Sequence, residues 1–212
     1  MVAARSRSPR QSCSPDVAGN TPRVGVLALQ GAFREHMAAL ARLGAEASEV
    51  RTPADLGGLD AVVLPGGEST TMDILLGTTG LRRPLADAIR AGLPVFGTCA
   101  GLILLAHDLE DGVEGQRTLG VLDVTVLRNG YGRQVASFET PVELPGESTP
   151  MAGVFIRAPR ITRVGEGVEV LAVVGDEPVA VRSGSIMAAT FHPELAHDDR
   201  LHARFLERVM QS

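Results

Sequence analysis

A chain of 212 residues is long enough to bury one substantial hydrophobic core and too short for two comfortable ones. Hydrophobic residues make up 44% of it but aromatics only 3%, so the core must be aliphatic, as in layered α/β folds whose buried parallel strands read as short Val, Leu and Ile runs. A net charge of -5 and a pI near 5.5 argue against the clustered positive charge that nucleic acid or an anionic membrane surface requires.

Residues 1–22 are expected to form a disordered extension, because they carry Arg, Ser and Pro but no continuous apolar region of the kind a signal peptide needs. No later stretch reaches the roughly 18 uninterrupted apolar residues of a membrane span. Cys13 and Cys99 lie in unlike settings and make no disulfide framework, so a reducing, cytoplasmic compartment is expected.

A single domain is expected over residues 23–212. "RVGVLALQG" reads as a strand ending at Gly31, and "AFREHMAALARL" as a helix from Ala32 to Leu43 that Gly44 closes. "AEASEV" and "LDAVVLPGG" follow as strands, "LRRPLADAIRAG" as a helix, "LPVFGT" as a strand and "AGLILLAH" as a helix. This alternation predicts a mostly parallel sheet with helices on both faces. Beyond Gly112 come strand-like runs with short turns, which predict a mostly antiparallel second half. The last element, "DDRLHARFLERVMQ", reads as an amphipathic helix with acidic residues in its first turn.

One corner of this pattern carries chemistry. Gly97-Thr98-Cys99-Ala100-Gly101 has the punctuation of a nucleophile elbow, in which a strand turns sharply into a helix and exposes the central side chain. The positive end of the helix dipole would favour a thiolate at Cys99, and the Ala100 N–H would face a developing oxyanion. A cysteine ending a buried strand is more often a small core residue, so a second element is needed. "TFHPEL" supplies it. In an extended segment Glu194 lies on the same side as His192 and can fix its tautomer, leaving His192 to act as general base and acid toward Cys99. In "LPGGEST" the N–H of Gly67 is a second candidate oxyanion donor. A phosphate-cradling turn is its alternative reading, weakened by the absence of the P-loop lysine. Arg128 or Arg157 has the chemistry to hold an α-carboxylate, and Glu68 to neutralise an α-ammonium. A metal site at His192, His197 and His202 is disfavoured by the spacing on the final helix, where His197 and His202 read as solvated.

"LPGGES", "FGTCAGL" and "FHPEL", in this order, resemble the triad (class I) glutamine amidotransferases. More narrowly, "LALQGAFREH", "PGGESTTM", "RNGYGRQVASFE", "GVFIRAP" and "TFHPEL" resemble the glutaminase subunits of pyridoxal 5′-phosphate synthase, from about Val24 to the C-terminus. The resemblance implies a three-layer, flavodoxin-like α/β fold with an antiparallel extension. It implies Cys99 as nucleophile, His192 as base and Glu194 as its orienting acid, with Gly67, Glu68, Ser69, Arg128, Ile156 and Arg157 around glutamine. Ammonia would pass to a (β/α)8-barrel synthase subunit that makes pyridoxal 5′-phosphate, which is then the partner's product and not a cofactor here. No cofactor or metal is expected for this chain. A stand-alone thiol hydrolase of γ-glutamyl compounds and a non-catalytic binding subunit are the alternatives.

Overall fold

The computed structural model describes residues 21–130 and 137–211. Residues 1–20 of the expected N-terminal extension, with Cys13, and residues 131–136 of the "RNGYGRQVASFE" segment lie outside the described residues.

The first half alternates strand and helix: β1 (Arg23–Leu27), α1 (Phe33–Arg42), β2 (Glu46–Val50), β3 (Ala61–Leu64), α2 (Ser69–Thr78), α3 (Arg82–Arg90), β4 (Val95–Thr98) and α4 (Ala100–Leu105). Strands dominate the second half: β5 (Ala106–Glu110), β6 (Leu122–Leu127), β7 (Ser137–Val142), β8 (Met151–Ile156), β9 (Arg160–Val164), β10 (Glu169–Val174), β11 (Glu177–Ser183) and β12 (Ile186–Ala189), before α5 (Arg200–Val209). The central sheet has seven strands in the order β10-β11-β12-β4-β3-β1-β2. β2, β1, β3, β4 and β12 run parallel, and β11 and β10 extend the sheet antiparallel.

Because side chains alternate across a strand, each central strand feeds two cores. Val62 and Leu64 of β3 pack with Met72, Leu85 and Leu104 of the helices on one face, while Val63 packs with Leu40 of α1 and Leu201 and Phe205 of α5 on the other. The result is three layers, as the alternation of elements predicts. The carboxyl ends of β1, β3, β4 and β12 meet along one edge, where open α/β sheets place their ligands.

Three details differ from expectation. Helix α4 is only six residues long, and "AH", expected to continue it, opens β5 instead. The chain beyond claims its last carbonyls, the N–H groups of Leu119 and Val121 donating to Leu104 and Leu105. Beyond Gly112 the pairings β6–β9, β7–β8 and β10–β11–β12 are antiparallel, as expected, while β6 also pairs in parallel with the preceding β5. Asp198 and Asp199 precede α5 and lie outside its first turn, and Asp199 takes a bidentate contact from Arg42. Helix α2 has apolar residues around its circumference and so no helical period to announce it; Glu68 starts it, its carboxylate accepting from the N–H groups of Thr70 and Thr71.

Candidate active site

Cys99 leaves β4 with φ 47° and ψ −102°, a left-handed conformation that costs a non-glycine residue about 1–3 kcal/mol. The sheet holds it there. Its N–H donates to the Ala189 carbonyl at 2.9 Å, so the last residue of β12 pins the corner that follows β4. Gly101 permits the turn, since a Cβ there would lie 2.0 Å from the carbonyl oxygen of Leu64. A Cβ on Gly97 would in turn lie 2.8 Å from the carbonyl carbon of Gly101.

His192 emerges three residues beyond β12, with its N–H bonded to the Val154 carbonyl of β8 at 2.9 Å. Its Nδ1 lies 2.7 Å from Glu194 Oε1, and both side chains are buried. The link is a 3-10 turn, Pro193–Leu195, where an extended segment was expected; the turn brings the two side chains together all the same. Burial pulls the imidazole pKa of His192 down, yet hydrogen bonds with Cys99 and Glu194 outweigh it and hold the ring up to about 10. Burial works against a charged Glu194 as well, but contacts with His36 and His192 keep its carboxyl far below the usual range. Sulfur and imidazole thus share one cavity wall, with the carboxylate holding the ring from behind, the arrangement in which a histidine serves a nucleophilic cysteine.

A cavity of about 300 Å³ opens over the sulfur. Gly67, Glu68, Ser69, Arg128, Ile156 and Arg157 all line it together with Cys99 and His192. Glu194 and Ala100 are buried behind this wall. A larger cavity of about 520 Å³, between residues 143–150 and β10, includes none of these side chains.

Glu68 differs from its expected part as a counter-charge for an ammonium group. Its carboxylate already accepts from Thr70 N–H, Thr71 N–H, the Thr71 hydroxyl and Arg128 Nη2, the last at 2.6 Å. Burial raises its pKa, but these donors outweigh that and bring it to about 2. Arg128 also donates to Ser69 Oγ and Thr70 Oγ1, so its charge is spent within the wall. Arg157, at φ 44° after β8, is exposed and makes no ion pair among the described residues.

Gln30, His36, Thr98 and His202 were not read from the sequence as site residues. Gln30 Oε1 accepts from the Glu68 N–H at 2.7 Å and so steadies the Gly67–Glu68 turn. His202 is not the solvated residue expected on the last helix; it is fully buried against His36. The signal was its position one residue from Leu201 and three from Phe205, on the apolar stripe of α5. Among the described residues no group of three His, Cys, Asp or Glu side chains is placed to hold a metal ion.

The model of the SNO glutamine amidotransferase family matches residues 26–211, nearly the whole described chain. The chain belongs to the SNO glutamine amidotransferase family. It is 56% identical over 191 residues to "Pyridoxal 5′-phosphate synthase subunit PdxT" of Parafrankia sp. (strain EAN1pec), covering 90% of this chain and 94% of that protein. The PdxT of Cutibacterium acnes is 52% identical over 197 residues, covering 90% and 98%. A crystal structure described as a glutamine amidotransferase superposes with a TM-score of 0.83 at 53% identity, over 88% of this SNO chain and 98% of the other. A Thermoplasma acidophilum protein described as a GMP synthase subunit shares the fold at 18% identity, with a TM-score of 0.63. No helix among the described residues of this family member is long and apolar enough to cross a membrane.

Proposed function

We propose that the chain is the glutaminase subunit of a pyridoxal 5′-phosphate synthase, hydrolysing glutamine to glutamate and ammonia with Cys99, His192 and Glu194. The observation that carries the reading is the strained Cys99 corner, which shares its cavity with a His192 that Glu194 holds at 2.7 Å. The names of its relatives supply the biosynthetic context.

In this mechanism the Cys99 sulfur attacks the side-chain amide carbon of glutamine. The oxyanion is received by the N–H groups of Gly67 and Ala100. His192, as imidazolium, protonates the departing nitrogen, the C–N bond breaks, and ammonia leaves a γ-glutamyl thioester. His192 then takes a proton from water, which attacks the thioester and frees glutamate and the thiolate. Gly67, Glu68, Ser69 and Ile156 shape the pocket for the substrate. Arg157 is the better candidate for the α-carboxylate, because Arg128 is already neutralised by Glu68.

Ammonia passes to a synthase subunit, a (β/α)8 barrel, whose product is pyridoxal 5′-phosphate; this chain needs no cofactor or metal of its own and works in the cytoplasm. The test is glutamate release from glutamine by the purified chain, alone and with that synthase subunit, against Cys99→Ala. Stimulation by the barrel and silence of the variant are expected. Equal rates without the barrel would favour a stand-alone γ-glutamyl hydrolase, and no release in either case would leave a binding subunit.

A further inference from the structure

Glu194 gives one carboxylate oxygen, Oε1, to His192 and turns the other, Oε2, toward helix α1. Facing Oε2 at 3.4 Å is Nε2 of His36, and both side chains are wholly buried. The same nitrogen lies 3.0 Å from the hydroxyl oxygen of Thr98, the residue before the nucleophile. The other nitrogen of His36, Nδ1, is 2.9 Å from Nε2 of His202 on α5. Phe96 meets both rings edge-on, at 89° and 85°, and seals them from water.

The bonding inventory of these atoms decides where the protons sit. An ionised carboxylate only accepts, so a buried Oε2 calls for a donor; it has no hydrogen-bond partner among the described residues, and His36 Nε2 faces it at 3.4 Å. His36 is that donor when its proton is on Nε2. Its Nδ1 is then an acceptor and must receive the N–H of His202 Nε2. That leaves His202 Nδ1 as a bare lone pair, and this is the atom of the ring that has no partner among the described residues. The opposite polarity would bury an unpaired N–H at that point and set a lone pair against Oε2. Burial also pulls the pKa of His202 down to about 3, consistent with a neutral ring with one proton to give.

We propose that His36 is a positioning residue for the triad: donating from Nε2 toward Glu194 Oε2, it stops the carboxylate from rotating and keeps Oε1 on His192, while His202 locks the His36 tautomer. The ring also ties Glu194, behind the base, to Thr98, beside the nucleophile, so it braces both halves of the site at once. This inference rests on the glutaminase reading of the triad.

His36→Leu keeps an apolar side chain on the buried face of α1 and removes both nitrogens. With the synthase subunit present, its kcat for glutamate release is expected to fall about ten- to hundredfold with little change in KM for glutamine. His36→Gln, whose amide can again donate toward Oε2, is expected to return kcat to within about threefold of wild type. An unchanged kcat in His36→Leu, or a glutamine variant no better than leucine, overturns the proposal. Should the leucine variant not fold, imidazole ¹⁵N shifts of the wild-type chain decide: both His36 and His202 should carry their proton on Nε2, and a proton on Nδ1 of His36 instead overturns it. A wild-type chain that releases no glutamate sinks the glutaminase reading, and the nitrogen spectra, which need no turnover, separate that failure from this one.

Discussion

At the scale of single residues, the site is a set of close approaches that leave no room for change. A Cβ on Gly66 would lie 2.2 Å from Cε1 of His192, so an alanine must push the imidazole off the line joining Cys99 to Glu194. Gly66→Ala is expected to lower kcat by about a hundredfold, since a displacement of about 1 Å at a reacting group is worth that much. Its thermal midpoint should stay near wild type, because the clash is with a side chain at a cavity wall; a fully active variant in steady-state assays would contradict the geometry. The thiol in turn supports the imidazole. Cys99→Ala removes one of the hydrogen bonds that hold His192 up to about 10 against the pull of burial, so the His192 titration followed by NMR should move to lower pH. The sign carries through to stability. A raised histidine stabilises fully below about pH 6.5 and loses that contribution as pH rises through about 10, so the variant should begin to lose stability at a lower alkaline pH than wild type.

At the scale of elements, α1 and α5 matter for more than packing, because each brings a histidine into the core behind the triad. His202 is lowered to about 3, so the unfolded chain takes up a proton below about 6.5 that the folded chain refuses until far lower pH. Its contribution is complete above about 6.5 and is lost as pH falls toward 3. Thermal melts of His202→Leu should therefore lose less stability than wild type between pH 6.5 and 5, before carboxylates of ordinary pKa titrate; parallel curves would argue against a neutral buried ring. These two helices also mark the boundary of what the sequence reveals. The Cys99 corner was legible because glycines at 97 and 101 answer a local steric demand, and His192 with Glu194 because they are two residues apart. The contact of His36 with Glu194 joins α1 to the turn after β12, and nothing local to either residue announces it. The start of β5 was illegible for another reason. The run from Ala100 to Ala106 is buried at every position, so no polar face tells helix from strand, and the choice falls to the segment around Leu119 that binds the last helical carbonyls.

At the scale of the molecule, the site stands on the strands farthest from the sheet's edges. β3, β4 and β12 have neighbours on both sides, whereas β2 and β10 end the sheet. Native-state hydrogen exchange should find the slowest amides in β3 and β4 and much faster ones in β2, because edge strands open without global unfolding. Protection in β2 equal to that in β4 would contradict this, whereas β10 is partly covered, Glu143 bridging Val173. The pairing of β4 with β12 has a broader consequence. Ala189 lies opposite Thr98 in register and accepts the N–H of Cys99, so the turn that carries the imidazole leaves the sheet beside the corner that carries the sulfur. The chain between those two strands, from β5 to β11, supplies Arg128, Ile156 and Arg157 to the pocket wall but none of the triad. Part of the selectivity is thereby written on its own length of polypeptide: a lineage, or an engineer, can vary positions 128, 156 and 157 to admit a different amide, provided that β8 keeps the Val154 carbonyl on the N–H of His192.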